Sequence, residues 1–95
     1  MIKQFKYKGL KKFFYKDDRS GINPDHAENL SDILDHLDAA TEIKDMNYPG
    51  SGLHPLNPKK DEIYAVSVSG AWRVTFRLTD GDAYVVDYRQ SRERR

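Results

Sequence analysis

From residue 63 to residue 78 the chain alternates with a period of two, and the alternation breaks once, at Ser69-Gly70-Ala71. Tyr64, Val66 and Val68 precede the break. Trp72, Val74, Phe76 and Leu78 follow it, with Arg73, Thr75 and Arg77 between them. A period of two belongs to a strand, and an apolar face opposite a polar one requires a sheet covered on one side. The stretch is therefore predicted to be a half-buried β-hairpin. A three-residue connection sets Val68 against Trp72, Val66 against Val74 and Tyr64 against Phe76. All three pairs are apolar, which favours that register and leaves Arg73, Thr75 and Arg77 on one polar face.

The flanking segments extend this hairpin. Thr79-Asp80-Gly81-Asp82 is a strong hairpin turn, and residues 83–88 form the last strand. A two-residue Asp80-Gly81 loop pairs Arg73 with Tyr88. A shift of one residue puts Arg73 on the face of Asp87 and Arg89 instead, and the sequence leaves both registers open. Upstream, residues 53–56 suit a short strand and residues 57–62 an exposed loop. The segment 89–95 is too polar to pack and is expected to be a mobile tail beyond a single domain of residues 1–89.

The first half is predicted to be helical. Ile2 to Phe5 suits a short first strand. Leu10, Phe13 and Phe14 then follow at helical spacing, with Lys8, Lys11, Lys12 and Lys16 on the other faces. Asn23 is a candidate N-cap and Pro24 suits the first helical position, while Asp25 and Glu28 suit the positive end of the dipole. Ala27, Leu30, Ile33, Leu34 and Leu37 make a core stripe. His26 and His36 do not have metal-pair spacing and are taken as surface residues. Thr41 is expected to cap a further helical turn reaching Met46. Residues 47–52 form a loop whose Gly-Ser-Gly lacks the Lys-Ser/Thr of a phosphate-binding loop.

Composition narrows the function classes. Ninety-five residues make one domain with one modest core. The absence of cysteine removes disulfides and thiolate chemistry and suits a reducing cytosol. No apolar run is long enough to span a membrane, and the basic start lacks a signal-peptide core, so a cytoplasmic protein is expected. The net charge of +1 hides an asymmetry. Residues 1–23 hold seven Lys/Arg against two Asp/Glu, and residues 24–47 hold one against seven. Residues 69–95 hold six against four. Converging basic ends would make a polyanion-binding patch; evenly solvated charges would make none.

One set of residues, in order, resembles a known family. Leu53-His54-Pro55-Leu56, Trp72-Arg73-Val74-Thr75-Phe76, Gly81-Asp82-Ala83-Tyr84 and Asp87-Tyr88 stand at the spacing of the HigB toxins. These belong to the RelE/ParE superfamily of bacterial toxin–antitoxin systems. The opening residues and Leu37-Asp38-Ala39-Ala40-Thr41-Glu42-Ile43 are similar as well, so the resemblance runs from residue 1 to about residue 89. It implies an α+β fold, with two N-terminal helices on one face of a small, mostly antiparallel sheet and an RNA-facing concavity on the other. It implies ribosome-dependent cleavage of mRNA without metal or cofactor, and so inhibition of translation. The implied partners are the ribosome, mRNA and a HigA-like helix-turn-helix antitoxin, through which the toxin reaches operator DNA.

Such cleavage uses the ribose 2′-OH as nucleophile, so it needs a base, an acid and positive charge around the phosphorane. His54 exchanges protons near neutral pH. Arg73 suits bidentate phosphate contact, or else a cross-strand ion pair with Asp87. Lys59 and Lys60 are placed to hold the RNA backbone. Tyr88 suits base stacking or proton transfer, whereas Trp72 reads as core. Two positions depart from the family. Asn57 stands where many members have a lysine, and Arg89 stands where a catalytic histidine is common. Either Lys59 or Lys60 replaces the lysine missing at Asn57, or the site is weakened. Arginine holds its proton too tightly for ordinary acid–base work but can still stabilise charge. That leaves His54 as the one good proton carrier and makes weak or altered catalysis an open alternative. A gyrase poison of the ParE type and a non-catalytic RNA- or antitoxin-binding module are the competing functions.

Overall fold

The computed structural model describes residues 1–56 and 62–90. Its centre is a four-stranded antiparallel sheet of β1 (His54–Pro55), β2 (Tyr64–Ser69), β3 (Trp72–Thr79) and β4 (Asp82–Gln90), in that spatial order. Two helices, α1 (Lys8–Lys16) and α2 (Ala27–Ala39), come first and share one core with the sheet. This is the α+β architecture expected. None of these helices is long and apolar enough to cross a membrane.

The helical stripes read from spacing are the ones that bury. Leu10, Leu30, Leu34 and Leu37 are fully enclosed, against Val66, Val74, Phe76 and Val86 of the sheet. Enclosing each leucine contributes about 1.5–3 kcal/mol relative to leaving it in water. A 3-10 turn, Pro24–His26, leads into α2, and the Asn23 carboxamide accepts the Asp25 N–H at 2.9 Å. The cap at Asn23 and the proline at the start stand as expected. A second 3-10 turn spans Ile43–Met46, but its cap is Glu42 in a reciprocal arrangement with Asp45. Thr41 instead donates its N–H and hydroxyl to the Asp45 carboxylate. These backbone hydrogen bonds hold the Asp45 carboxyl below the usual carboxylate range.

Two registers decide what the open face of the sheet carries. In the β2–β3 pair, Tyr64 lies opposite Phe76 and Val66 opposite Val74. The third expected pair fails, because Trp72 lies opposite Ser69 and the ladder shifts between Ser67 and Ser69. Gly70, at φ 54, permits a two-residue turn there, so the odd residue is absorbed as a bulge at Val68. In the β3–β4 pair, Asp80 and Gly81 both have positive φ and close a two-residue turn. Thr79–Asp82, Leu78–Ala83 and Arg77–Tyr84 follow in its register. The ladder then slips by one, giving Thr75–Asp87, Val74–Tyr88 and Arg73–Arg89. Both registers left open by the sequence occur, one after the other, separated by a bulge at Val85 with φ 48.

Three further expectations change. The N-terminal segment is not a full strand: Ile2 and Phe5 make isolated parallel bridges to Ala83 and Val86 on the outer side of β4. Arg89 and Gln90 are not tail residues but the end of β4, and residues 91–95 lie outside the described residues. His26 is not on the surface; it is 5 % exposed, enclosed between α2 and the sheet. His36 is exposed as expected.

Candidate active site

The face of the sheet turned away from the helices carries two transverse rows of side chains. Directly paired residues share a face, and so do alternate residues along a strand. One row runs His54, Ala65, Thr75, Asp87 across all four strands. The next runs Ser67, Arg73, Arg89. Ala65 and Thr75 are small and buried, so they form a floor. Around them His54, Leu56, Arg73, Arg89 and Gln90 enclose a cavity of about 270 Å³. Three of the candidates named from the sequence, His54, Arg73 and Arg89, are thereby brought to one place.

His54 arrives there on an edge strand, where its neighbour Pro55 is tolerated because an edge N–H has no obligatory partner. The imidazole is exposed, and its Nδ1 lies 2.9 Å from the Gly52 carbonyl oxygen. A carbonyl oxygen only accepts, so Nδ1 carries the hydrogen. In the neutral ring Nε2 then holds the free lone pair, which is the state a general base requires.

Arg73 and Arg89 stand directly opposite each other on β3 and β4. Like charges in cross-strand register are unfavourable unless an anion lies between them. Arg73 donates from one terminal nitrogen to the carbonyls of Gly70 and Trp72, at 2.9 and 3.2 Å. Its Nε and second terminal nitrogen make no hydrogen bond to the described residues, and no ion pair to Asp87 forms among them. That leaves a guanidinium held by one nitrogen, with its remaining donors unpaired among the described residues, a group suited to phosphate.

The other candidates fall elsewhere. Tyr88 follows Asp87 and precedes Arg89, so its side chain takes the opposite, helix-covered face. There its hydroxyl lies 2.6 Å from His26 Nδ1 and accepts the Asn23 N–H at 3.4 Å. Its ring stacks on Trp72 with centroids 4.7 Å apart. Burial pushes the Tyr88 phenol up, against the pull of the Asn23 N–H. Tyr88 is thus separated by the sheet from His54, Arg73 and Arg89; its surroundings are those of a core residue, as are those of Trp72. Asn57, Lys59 and Lys60 lie outside the described residues.

Sequence reasoning missed the floor. Ala65 and Thr75 matter by being small and facing the open side, and only the ladder shows that they lie between His54 and Asp87. It also missed His26, whose partner is 62 residues away. The alternation of residues 63–78 had placed Thr75 on the polar face, which was the one available signal.

Comparison with known proteins gives the family. Residues 3–91 match the model of the HigB-like toxin family, described as RelE-like toxins of the type II toxin–antitoxin system HigB. The chain is also 40% identical over 88 residues to the endoribonuclease HigB of Proteus vulgaris, covering 93% of this chain and 96% of that protein. With a basic, histidine-bearing sheet face, two helices behind it and a family match over nearly its whole length, the chain belongs to the HigB-like family of RelE-like toxins of type II toxin–antitoxin systems.

Proposed function

We propose that this chain is an endoribonuclease toxin that cleaves mRNA on the ribosome, and that His54, Arg73 and Arg89 carry the reaction. His54 Nε2 takes the proton from the ribose 2′-OH, whose oxygen attacks the adjacent phosphorus. The P–O5′ bond breaks, leaving a 2′,3′-cyclic phosphate, and the departing 5′-oxygen receives a proton from the imidazolium or from water. The two guanidiniums stabilise the charge that grows on the phosphoryl oxygens. The observation that carries this reading is the Arg73–Arg89 cross-strand pair beside a histidine with Nε2 free. Asn57, Lys59 and Lys60 are the proposed backbone contacts in the adjoining segment. In the cell the reading implies a cytoplasmic protein neutralised by a HigA-like helix-turn-helix antitoxin, with operator DNA bound only through that complex.

Expression of His54→Ala and of Arg73→Ala in a bacterial host tests it. Each substitution is expected to relieve growth arrest, because losing one stabiliser of this kind lowers the rate by about 100–1000-fold. Mapping of transcript ends after induction should show cut mRNA for the unaltered chain and none for the variants. Intact transcripts with arrested replication would point to a gyrase poison instead. Folded variants that remain fully toxic would remove these residues from the site.

A further inference from the structure

A second, larger cavity adjoins the first on the same face. It measures about 380 Å³ and shares Thr75 and Arg89 with its neighbour. Its other walls are Gln4, Lys6, Ile63, Arg77, Val85 and Asp87. The volume lies in the range of cavities that hold a compact ligand, about 300–1,000 Å³. Three cations and one carboxylate line it, so its balance favours an anion.

The two cations not shared with the catalytic pocket are separately positioned. Lys6 sits where the N-terminal segment is fastened to β4: its N–H donates to the Val86 carbonyl at 2.8 Å, and its side chain is exposed. Arg77 lies half-buried with its guanidinium carbon 5.9 Å from the centroid of the Tyr84 ring, close enough for a cation–π contact. Neither Lys6 nor Arg77 forms an ion pair among the described residues. Ile63 and Val85 give the cavity apolar wall on which a base can lie. Asp87 accepts the Tyr88 N–H through Oδ1 at 2.9 Å, which leaves its other oxygen without a hydrogen bond among the described residues. A carboxylate repels a phosphate but accepts from a base amino group. The lining is therefore divided into a cationic part, an apolar part and one acceptor, which complement the phosphate, the ring face and the amino group of a nucleotide.

We propose that this cavity, lined by Gln4, Lys6, Ile63, Arg77, Val85 and Asp87, is a second nucleotide subsite for single-stranded RNA, in which Lys6 and Arg77 hold the phosphate next to the one being cleaved. The proposal rests on the ribonuclease reading of the first cavity. Lys6 and Arg77 act on substrate affinity, whereas His54 acts on the chemical step.

The test is binding of a short single-stranded RNA made uncleavable by 2′-O-methyl groups, followed by fluorescence anisotropy over a range of salt with the full-length chain. Lys6→Gln and Arg77→Gln should each weaken binding several-fold, and each should lower the slope of log affinity against log salt by about 0.7, the contribution of one single-strand phosphate contact. Lys6→Arg should keep the slope. In cleavage of translated mRNA the two glutamine variants should raise KM and leave kcat nearly unchanged. Because Lys6 is exposed, Lys6→Gln tests the point without threatening the fold. Unaltered affinity and slope in both variants, with the parent binding and cleaving RNA, would overturn the subsite alone. A parent that binds no RNA at low salt would overturn it as well. Continued cleavage by His54→Ala would instead remove the reading of the first cavity.

Discussion

A buried hydroxyl contributes according to whether its partner is present, and this chain holds one case of each kind. The Tyr88 hydroxyl is paired with His26 Nδ1 at 2.6 Å in an enclosed site. The Tyr48 hydroxyl is buried without a partner among the described residues, its ring against that of His36 with centroids 4.5 Å apart. Removing one member of a buried pair leaves the other desolvated, at about 1–3 kcal/mol. Tyr88→Phe is therefore expected to destabilise by that amount, whereas Tyr48→Phe should be neutral or stabilising, both read from urea denaturation. Burial raises both phenols above the ordinary value of 10.0, for Tyr48 with the Asp32 charge adding to it. The neutral phenol is the form the fold favours, so this stability is complete below the ordinary value and is lost as pH rises through the raised ones. Tyr48→Phe should shrink that alkaline loss. Equal destabilisation by the two phenylalanine variants would contradict the assigned pairing. None of this was legible in the chain, because a tyrosine or histidine on an apolar stripe reads the same whether its polar tip is paired or orphaned. His54 was legible because loop residues and a basic neighbourhood surround it in sequence.

At the scale of the element, the register of β4 depends on one residue. Val85 is β-branched and stands at φ 48, a region where such side chains clash with their own backbone. Its N–H reaches the Gln4 side-chain oxygen at 3.3 Å, outside the β3–β4 ladder. The bulge turns Asp87 and Arg89 to the face of Arg73 and sends Tyr88 to the helices. Strain of this kind costs about 1–3 kcal/mol, against about 0.5–1 kcal/mol for the extra backbone freedom of glycine. Val85→Gly is therefore expected to raise the unfolding free energy by about 1 kcal/mol, while the lost cavity wall weakens RNA binding and leaves the chemical step at His54 in place. Deleting Val85 removes the extra residue and makes the two halves of the ladder continuous, so Arg89 should stay opposite Arg73 and cleavage should persist in a chain that still folds. If Val85→Gly proves destabilising, the backbone there is not strained. The sequence announced the turn at Asp80-Gly81, because turn chemistry is local. It did not announce the bulge, because nothing in the type of a valine in a strand-like run foretells a left-handed backbone. The candidate site was thus legible in its residue types and not in the register that assembles Arg89 with Arg73.

Over the whole molecule, the cationic sheet face and the acidic helix separate in space as the charge blocks separate in sequence. Glu28, Asp32 and Asp35 of α2 are exposed on the layer behind the sheet, away from His54, Arg73 and Arg89. What the charge blocks do not reveal is that the first residues return to the last strand. The Ala83 N–H donates to the Met1 carbonyl and the Lys3 N–H to the Ala83 carbonyl; the Val86 N–H donates to the Gln4 carbonyl and the Lys6 N–H to the Val86 carbonyl. The Ile2 N–H adds a bond to Asp38 of α2 at 2.9 Å, so the segment also ties the sheet to the helix layer. It covers the outer edge of β4, and an uncovered edge is a template for pairing with another chain. Removal of residues 1–5 would leave the Ala83 and Val86 backbone groups unpaired and expose the apolar surface under Ile2, which is 3 % accessible in the intact chain. It would also free Lys6 from the wall of the second cavity. The shortened chain is therefore expected to self-associate as its concentration rises, seen as a growing mass in size-exclusion chromatography with light scattering, and to bind RNA more weakly than the parent. A truncated chain that stays monomeric and as stable as the parent would show that the β4 edge is protected by the bulge at Val85 rather than by the N-terminal segment.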